Sequence, residues 1–229
     1  LYEDEHILLV DKRPGLVVHP DETERVNTLI THIQAYLYQK KEWSPYQEGA
    51  FAPALCNRID RNTGGIVIAA KTAEGLRVMN QKIRDRELKK YYLCIVHGTL
   101  PRPAGRLEGY ILKDEAKKQV TVSSRPRPGA KTAVTLYETL AVRNGLSLVR
   151  CQLITGRTHQ IRVHMAHIGH PILGDTVYGA KKPVPGLQGQ CLHAVGLRFL
   201  HPRTGELVEL WCDLPEAFQT QLRKLENRG

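Results

Sequence analysis

Apolar and polar residues alternate in many short segments of this chain, and Val, Ile and Tyr dominate these segments. Gly, Pro or Asn bounds most of them, which is typical of half-buried β-strands. The pattern predicts nine strands, at residues 6–11, 16–19, 66–71, 92–97, 119–123, 133–140, 146–154, 192–200 and 207–212. The Asn144-Gly145 connection between two of these strands predicts an antiparallel hairpin.

Helical spacing of apolar residues occurs in four places. The first stripe begins near Asn27 or Thr28, and Thr72 can cap the second. The stripes consist of Val26, Leu29, Ile30, Ile33 and Leu37; of Leu76, Met79 and Ile83; of Ile161, Met165 and Ile168; and of Phe218, Leu222 and Leu225. Many strands with few helices, and no strand–helix–strand alternation, predict an α+β fold around a mostly antiparallel sheet. Because the composition has no sharp break, we expect a single domain over residues 1–229.

The charge is strongly positive: the 229 residues include 33 Lys and Arg against 23 Asp and Glu, a formal net charge of +10. Such a balance fits a polyanionic partner such as nucleic acid, and it also fits a solvated basic surface. The apolar runs, such as residues 66–70, fall far short of the ~18 residues that a membrane span needs. The sequence therefore predicts a soluble protein with no membrane partner.

The five cysteines are odd in number and contain no CxxC pair. Spacing of this kind suggests neither a zinc site nor a disulfide framework. Since free thiols persist in a reducing compartment, we expect a cytoplasmic protein.

A first concentration of reactive side chains lies directly before the strand at residues 66–71. Asp60 stands between Arg58 and Arg61, and Thr63 and two glycines follow. Opposite charges nearby favour an ionised carboxylate, which on a tight turn can act as a nucleophile or a base. The same residues also suit a simple turn in which Asp60 accepts backbone hydrogen bonds.

A second concentration, from Thr155 to His170, places arginine, threonine and histidine around the start of the third predicted helix. Such a helix start can receive an anion. The histidines are His159, His164, His167 and His170. Because no cysteine or HExxH pattern accompanies them, the pattern favours structural or RNA-facing histidines over zinc ligands.

A third concentration is the predicted strand that contains Tyr92. Alternation buries Tyr92, Cys94 and Val96 on one face and directs Tyr91 and Leu93 to the other. A tyrosine at this place can stack on a base or belong to the core with its hydroxyl satisfied.

These segments, in this order and spacing, resemble the RluA-type family of RNA pseudouridine synthases. The family's motifs stand here as Arg58-Ile59-Asp60, Lys90 to Gly98, Gly156 to His164, and Gly169 to Gly179, and the resemblance spans essentially the whole chain. Two positions depart from the family pattern: Asn57 replaces a usual histidine, and Gly64 a usual serine. The resemblance implies an α+β fold with flanking helices, a central, mainly antiparallel mixed sheet in two subdomains, and a basic cleft.

The resemblance also implies four site residues. Asp60 corresponds to the family's essential aspartate, and Arg58 to the substrate-binding arginine that enters the base stack. Tyr92 corresponds to the tyrosine that packs on the flipped base, and Arg162 to the arginine that pairs with the aspartate.

The implied reaction breaks the C1′–N1 bond of uridine and joins C1′ to C5, with no net oxidation, so we expect no cofactor and no metal. The expected partner is RNA, rRNA before tRNA, and the expected state is a monomer without an obligatory protein partner. Two other classes stay open at this point. One is a non-catalytic RNA-binding domain, and the other is a metal-dependent hydrolase that uses the histidines.

Overall fold

The structure, a computed structural model, describes residues 1–114 and 119–226. Its elements are β1 (Tyr2–Glu3), β2 (Ile7–Lys12), α1 (Leu29–Gln39), β3 (Ala54–Leu55), β4 (Gly64–Ala70), α2 (Ala73–Arg84), β5 (Lys89–His97), β6 (Ala104–Asp114), β7 (Gln119–Ser123), β8 (Lys131–Arg143), β9 (Leu146–Leu153), α3 (Gln160–His167), β10 (Leu192–Leu200), β11 (Leu207–Trp211) and α4 (Glu216–Glu226). The predicted α+β class with a mainly antiparallel sheet is confirmed.

The chain divides into two compact units. The first unit comprises Leu1–Leu88 and Gly196–Cys212, and the second comprises Lys89–Val195 and Asp213–Gly229. This division agrees with the two subdomains that the resemblance implies. A single catalytic domain over residues 1–229 stays a prediction.

The first unit is built on the antiparallel pair of β2 and β4. Their register runs from Ile7 opposite Ala70 to Lys12 opposite Gly65, with β1 pairing to β2 and β3 to β4. All seven residues of β4 are buried, which explains its continuous apolar sequence. The core consists of Ile7, Leu9, Ile66, Ile68, Met79, Leu88, Leu197 and Phe199.

Both helices of the first unit begin at a predicted cap. The Thr28 side chain accepts from Thr31 N, and the Thr31 hydroxyl receives the Thr28 N–H in return. The Thr72 hydroxyl accepts from Gly75 N at 3.0 Å. A capped N-terminus satisfies backbone donors that otherwise have no partner within the helix.

The second unit contains an antiparallel sheet in the order β5-β9-β8-β6-β7. Asn144 and Gly145 connect β8 to β9 with φ values of 51° and 70°. Two consecutive positive φ angles are what a two-residue hairpin turn requires. The predicted hairpin is therefore confirmed.

Helix α3 covers one face of this sheet. Val163 packs there against Ile111, Val120 and Ala133. The Thr135 hydroxyl, on the same face as Ala133, hydrogen-bonds to Gln160 and His164 of α3. Helix α3 therefore covers the face of the sheet that contains Thr135. Residues paired with Thr135 across the antiparallel strands lie on the same face.

Some elements differ from the sequence prediction. The predicted strand at residues 16–19 is wrong, because Val17 makes only one isolated bridge, to Thr28. Val26 is 78 % exposed and precedes α1 rather than belonging to its buried stripe. Strands β1, β3 and β6 were not predicted. In β6, Gly105 and Gly109 resemble turn residues, yet a Cβ at either position would lie 2.8 Å from Tyr137 or Val122.

The five cysteines are free thiols. Among the residues that the structure describes, no helix is both long and apolar enough to cross a membrane.

Candidate functional site

Arg58 and Asp60 lie on the loop between β3 and β4 of the first unit. Cys56 N donates to Ile68 O, and Ile68 N donates to Asn57 Oδ1, both at 2.8 Å, so the base of the loop is closed. Thr63 N donates to Asp60 O at 3.1 Å. Arg58 is exposed and Asp60 is partly exposed. The fixed backbone therefore presents an arginine and a carboxylate two residues apart.

A buried lysine holds this loop from behind. Lys12 is only 1 % exposed, and its Nζ donates to three carbonyl oxygens, of Arg13 at 3.1 Å, Leu16 at 2.7 Å and Arg61 at 2.9 Å. An ammonium has three N–H donors, so these bonds use all of them. Lys12 thus ties the segment that follows β2 to the residue next to Asp60.

Electrostatics links Lys12 to Asp60 as well. Burial lowers the pKa of Lys12 to about 8, while the negative charges of Asp60 and Asp11 oppose that shift. Each carboxylate therefore stabilises the buried cation of Lys12.

We expect Lys12→Met to lower the free energy of unfolding by about 2–3 kcal/mol, because carbonyl groups lose their buried donor. Urea unfolding measures this change. Lys40→Met is the control, since Lys40 is exposed and pairs with Glu3 and Glu42 at the surface. Exposed ion pairs contribute about 0–1 kcal/mol. Equal stability of the two variants would contradict the anchoring role of Lys12.

Other contacts surround the loop on its exposed side. The Arg61 guanidinium donates to Asp21 at 3.2 Å and to Thr23. Burial lowers the pKa of His19, and the positive charge of Arg58 lowers it further. The segment from His19 to Thr23 therefore lies close to the loop that holds Arg58 and Asp60.

Arg162, in the second unit, has a buried carboxylate partner in Asp175. Its Nε and Nη2 donate to the two Asp175 oxygens at 2.7 and 3.0 Å, and the side chains are 7 % and 1 % exposed. This bidentate geometry fixes the plane of the guanidinium.

Tyr178 packs against the same guanidinium, with its ring centroid 4.9 Å from Arg162 Cζ. Its hydroxyl accepts from Val120 N at 3.1 Å and lies 2.7 Å from His159 Nδ1. A cation held over an aromatic ring is stabilised by the charge distribution of the ring. Arg162 is therefore held both by a carboxylate and by an aromatic face.

Tyr92, on β5, is 7 % exposed. Its register partner on β9 is Cys151, which in turn pairs with Tyr137 on β8. Tyr137 is two residues from Thr135 and shares its face. Tyr92 and α3, which holds Arg162, therefore lie on the same side of this sheet.

A directed chain of hydrogen bonds connects β8 to α3. Thr155 Oγ1 donates to Gln160 Oε1, and Gln160 Nε2 donates to Thr135 Oγ1. The Thr135 hydroxyl also lies 2.9 Å from His164 Nδ1. The other ring nitrogen, Nε2, is buried without a hydrogen-bond partner among the described residues. The imidazole of His164 is therefore held in a buried position between β8 and α3.

This arrangement predicts acid sensitivity. Burial lowers the pKa of His164 to about 4, with a smaller effect from His167. The unfolded chain, with a histidine pKa of about 6.5, takes up this proton first, so stability is lost as pH falls from about 6.5 to 4. We expect a loss of ~3 kcal/mol from this residue, since each pKa unit corresponds to about 1.4 kcal/mol. Urea unfolding at pH 7 and pH 4.5 measures it.

His164→Gln should reduce the change in the free energy of unfolding between pH 7 and pH 4.5, because the glutamine amide keeps a hydrogen-bond partner for Thr135 but does not titrate. The control is His167→Gln, on the exposed side of the same helix, which should keep most of the dependence. An unchanged pH dependence in His164→Gln would contradict the prediction.

The structure thus places Arg58 and Asp60 on one loop of the first unit, and Tyr92 and Arg162 on one side of the sheet in the second. The pairing of Arg162 with Asp60 stays a prediction. The roles of Lys12 and Asp175 were not predicted from the sequence. Asp175 lies within the family motif from Gly169 to Gly179, but nothing in its spacing identified Arg162 as its partner.

Comparison with known proteins gives consistent results. The RNA pseudouridylate synthase family matches residues 6–167. The uncharacterized RNA pseudouridine synthase YlyB of Bacillus subtilis is 36% identical over 228 residues, which cover 100% of this chain and 73% of that protein. The ribosomal large subunit pseudouridine synthase D of Zymomonas mobilis is 35% identical over 233 residues, covering 98% and 72%. The solved human RNA pseudouridylate synthase domain containing 4 superposes with a TM-score of 0.77 at 26% identity, covering 99% and 92%.

Proposed function

Because the chain belongs to the RNA pseudouridylate synthase family, we propose that it isomerises a specific uridine of ribosomal RNA to pseudouridine, with Asp60 as the essential carboxylate. The proposal for Asp60 rests on the structure of the loop on which it lies. A partly exposed carboxylate and an exposed arginine lie two residues apart on a backbone fixed by a buried lysine.

The proposed substrate is ribosomal RNA. The relative from Zymomonas mobilis is, by its name, an enzyme of the large ribosomal subunit. The net charge of +10 suits a phosphate backbone. A ribosomal substrate would place the work of this protein in the cytoplasm, and transfer RNA is the alternative substrate.

The reaction requires access to the base edge and to the sugar at the same time. A base within a helix provides neither, so we propose that the target uridine is flipped out of its stack, which costs a few kcal/mol. Arg58 is exposed, and its planar guanidinium can occupy the vacated space and bind phosphate.

Asp60 is proposed to act as the ionised carboxylate, either by attacking the nucleotide or by removing a proton. In both cases the reaction is balanced without an oxidant, because the proton lost from C5 is matched by one gained at N1. Lys12, whose buried cation the charge of Asp60 stabilises, lies behind this carboxylate and anchors its loop.

Arg162 is proposed to pair with Asp60, as the family resemblance implies. A guanidinium has five N–H donors, so an arginine that Asp175 orients through Nε and Nη2 can also donate to a second carboxylate. Asp175 and Tyr178 are then positioning residues, because they act through Arg162.

Tyr92 is proposed to pack against the flipped base. It lies on the same side of the sheet as the helix of Arg162, and its ring supplies an apolar surface. Aromatic packing of a displaced base contributes about 1–3 kcal/mol, which offsets part of the cost of flipping.

Pseudouridine mapping of total RNA tests this proposal. A strain that lacks the protein is compared with its parent and with strains that carry the wild-type or the Asp60→Asn chain. The expected result is one or more ribosomal sites that lose pseudouridine and regain it only with the wild-type chain. Loss of pseudouridine from transfer RNA alone would indicate that the substrate is transfer RNA rather than ribosomal RNA. An unchanged pseudouridine map would contradict the proposal.

A further inference from the structure

Lys90, at the start of β5, is a partly buried cation that the proposed chemistry does not use. Its Nζ lies against Gly156, where a Cβ would come within 3.2 Å of it. Burial lowers the pKa of Lys90. Within residues 1–114 and 119–226, its ammonium makes no hydrogen bond or ion pair. A desolvated cation without an anionic partner is costly to the folded chain.

The strand register places Lys90 beside Tyr92. Lys90 pairs with Leu153, and Leu153 pairs with Thr135, whose side chain faces α3. Lys90 and Tyr92 are therefore on the same side of the sheet, separated by two residues, or roughly 6.6 Å along the strand. This separation is comparable to the span between the base and the phosphate of one nucleotide.

We propose that Lys90 binds a backbone phosphate of the RNA, belonging to the nucleotide whose base packs on Tyr92 or to the nucleotide next to it. This inference rests on the proposed function, since it extends the contact surface of the same substrate. Gly156 is exposed and has no side chain, so no side chain at that position covers the ammonium. A phosphodiester supplies the negative charge that residues 1–114 and 119–226 do not offer to Lys90.

A phosphate partner explains why a lysine is held in this position. Lysine binds phosphate as a compact point charge, and such contacts fix the register of a nucleic acid without reading its sequence. A lysine with a purely structural role, by contrast, would donate to carbonyl or carboxylate oxygens, as Lys12 does.

The salt dependence of RNA binding tests the proposal. Each phosphate contact contributes about 0.7–0.9 to the slope of log affinity against log salt. We expect Lys90→Met to reduce the slope by that amount. Lys89→Met is the matched control, because Lys89 is the exposed neighbour on the other face of β5, and its slope should equal that of the wild type.

The thermal midpoint separates a binding role from a structural one. Because the described residues offer Lys90 no hydrogen-bond or ion-pair partner, Lys90→Met should melt at or above the wild-type temperature. A lower midpoint together with an unchanged salt slope would overturn the proposal.

Synthetic RNA identifies the phosphate. One linkage at a time, on either side of the target uridine, is replaced by a neutral methylphosphonate. We expect one replacement to weaken binding to the wild-type chain but not to Lys90→Met, which is a coupling between the two changes. Additive losses at both linkages would contradict the contact. Product formation by the wild-type chain is measured separately, so failure of the proposed function is distinguishable from failure of this inference.

Discussion

Replacing Asp60 by asparagine is expected to abolish pseudouridine formation while RNA affinity stays within about threefold of the wild type. The amide keeps the size of the side chain but cannot act as an anionic nucleophile or base. Loss of such a group costs about 10²–10⁴-fold in rate for proton transfer alone, and more where a covalent step depends on it. Nucleoside analysis of the treated RNA and equilibrium binding measure the two quantities.

Asp11→Asn is the matched control. Asp11 and Asp60 are the two carboxylates that stabilise the Lys12 cation, so either substitution removes a negative charge near Lys12. If loss of activity came only from a weaker loop anchor, the two variants would be impaired alike. We expect Asp11→Asn to keep its activity, and equal impairment of the two would argue against a catalytic role for Asp60.

Arg162→Met is expected to reduce turnover by at least ~10²-fold, because it removes the group that we propose orients the Asp60 carboxylate. The same change leaves Asp175 buried without its partner. An unpaired buried charge costs about 3–5 kcal/mol of stability, so the single variant alone cannot separate catalysis from folding. Initial rates and urea unfolding are both required.

The double variant Arg162→Met with Asp175→Asn makes that separation. Its second substitution removes the orphaned charge, so we expect much of the lost stability to return. Turnover should stay as low as in the single variant, because the guanidinium is still absent. Recovery of turnover together with stability would show that Arg162 acts only through the fold.

Regular elements of this fold could be predicted because local sequence determines them. Helices α1 and α2 combine an apolar stripe with a threonine at the capping position, and burial alternates along the whole length of β9. The segment at residues 16–19 has equally apolar residues, yet it is not a strand. The Leu16 carbonyl binds the side chain of Lys12, at the end of β2, instead of a neighbouring strand. A side-chain partner of this kind cannot be predicted from apolar spacing.

The candidate site was predictable where its residues are neighbours in sequence and not where the fold brings them together. Arg58 and Asp60 are two positions apart, so one motif contains both. Asp175 lies 13 residues beyond Arg162, across a helix end and a loop whose path the sequence does not specify. Lys12 Nζ donates to the carbonyl of Arg61, which lies 49 residues further along the chain. A lysine at the end of a predicted strand gives no sign in the sequence that it is buried.

Tritium release gives the most direct test of the central claim, that this chain isomerises uridine in RNA by means of Asp60. Joining C1′ to C5 displaces the hydrogen on C5, so RNA made with 5-tritiated uridine loses tritium to water at each conversion. We predict that the purified wild-type chain, with no added cofactor, releases tritium to a plateau of one equivalent per target site, and that Asp60→Asn releases none. Complete retention of tritium with the wild-type chain, or release by Asp60→Asn at the wild-type rate, would contradict the account.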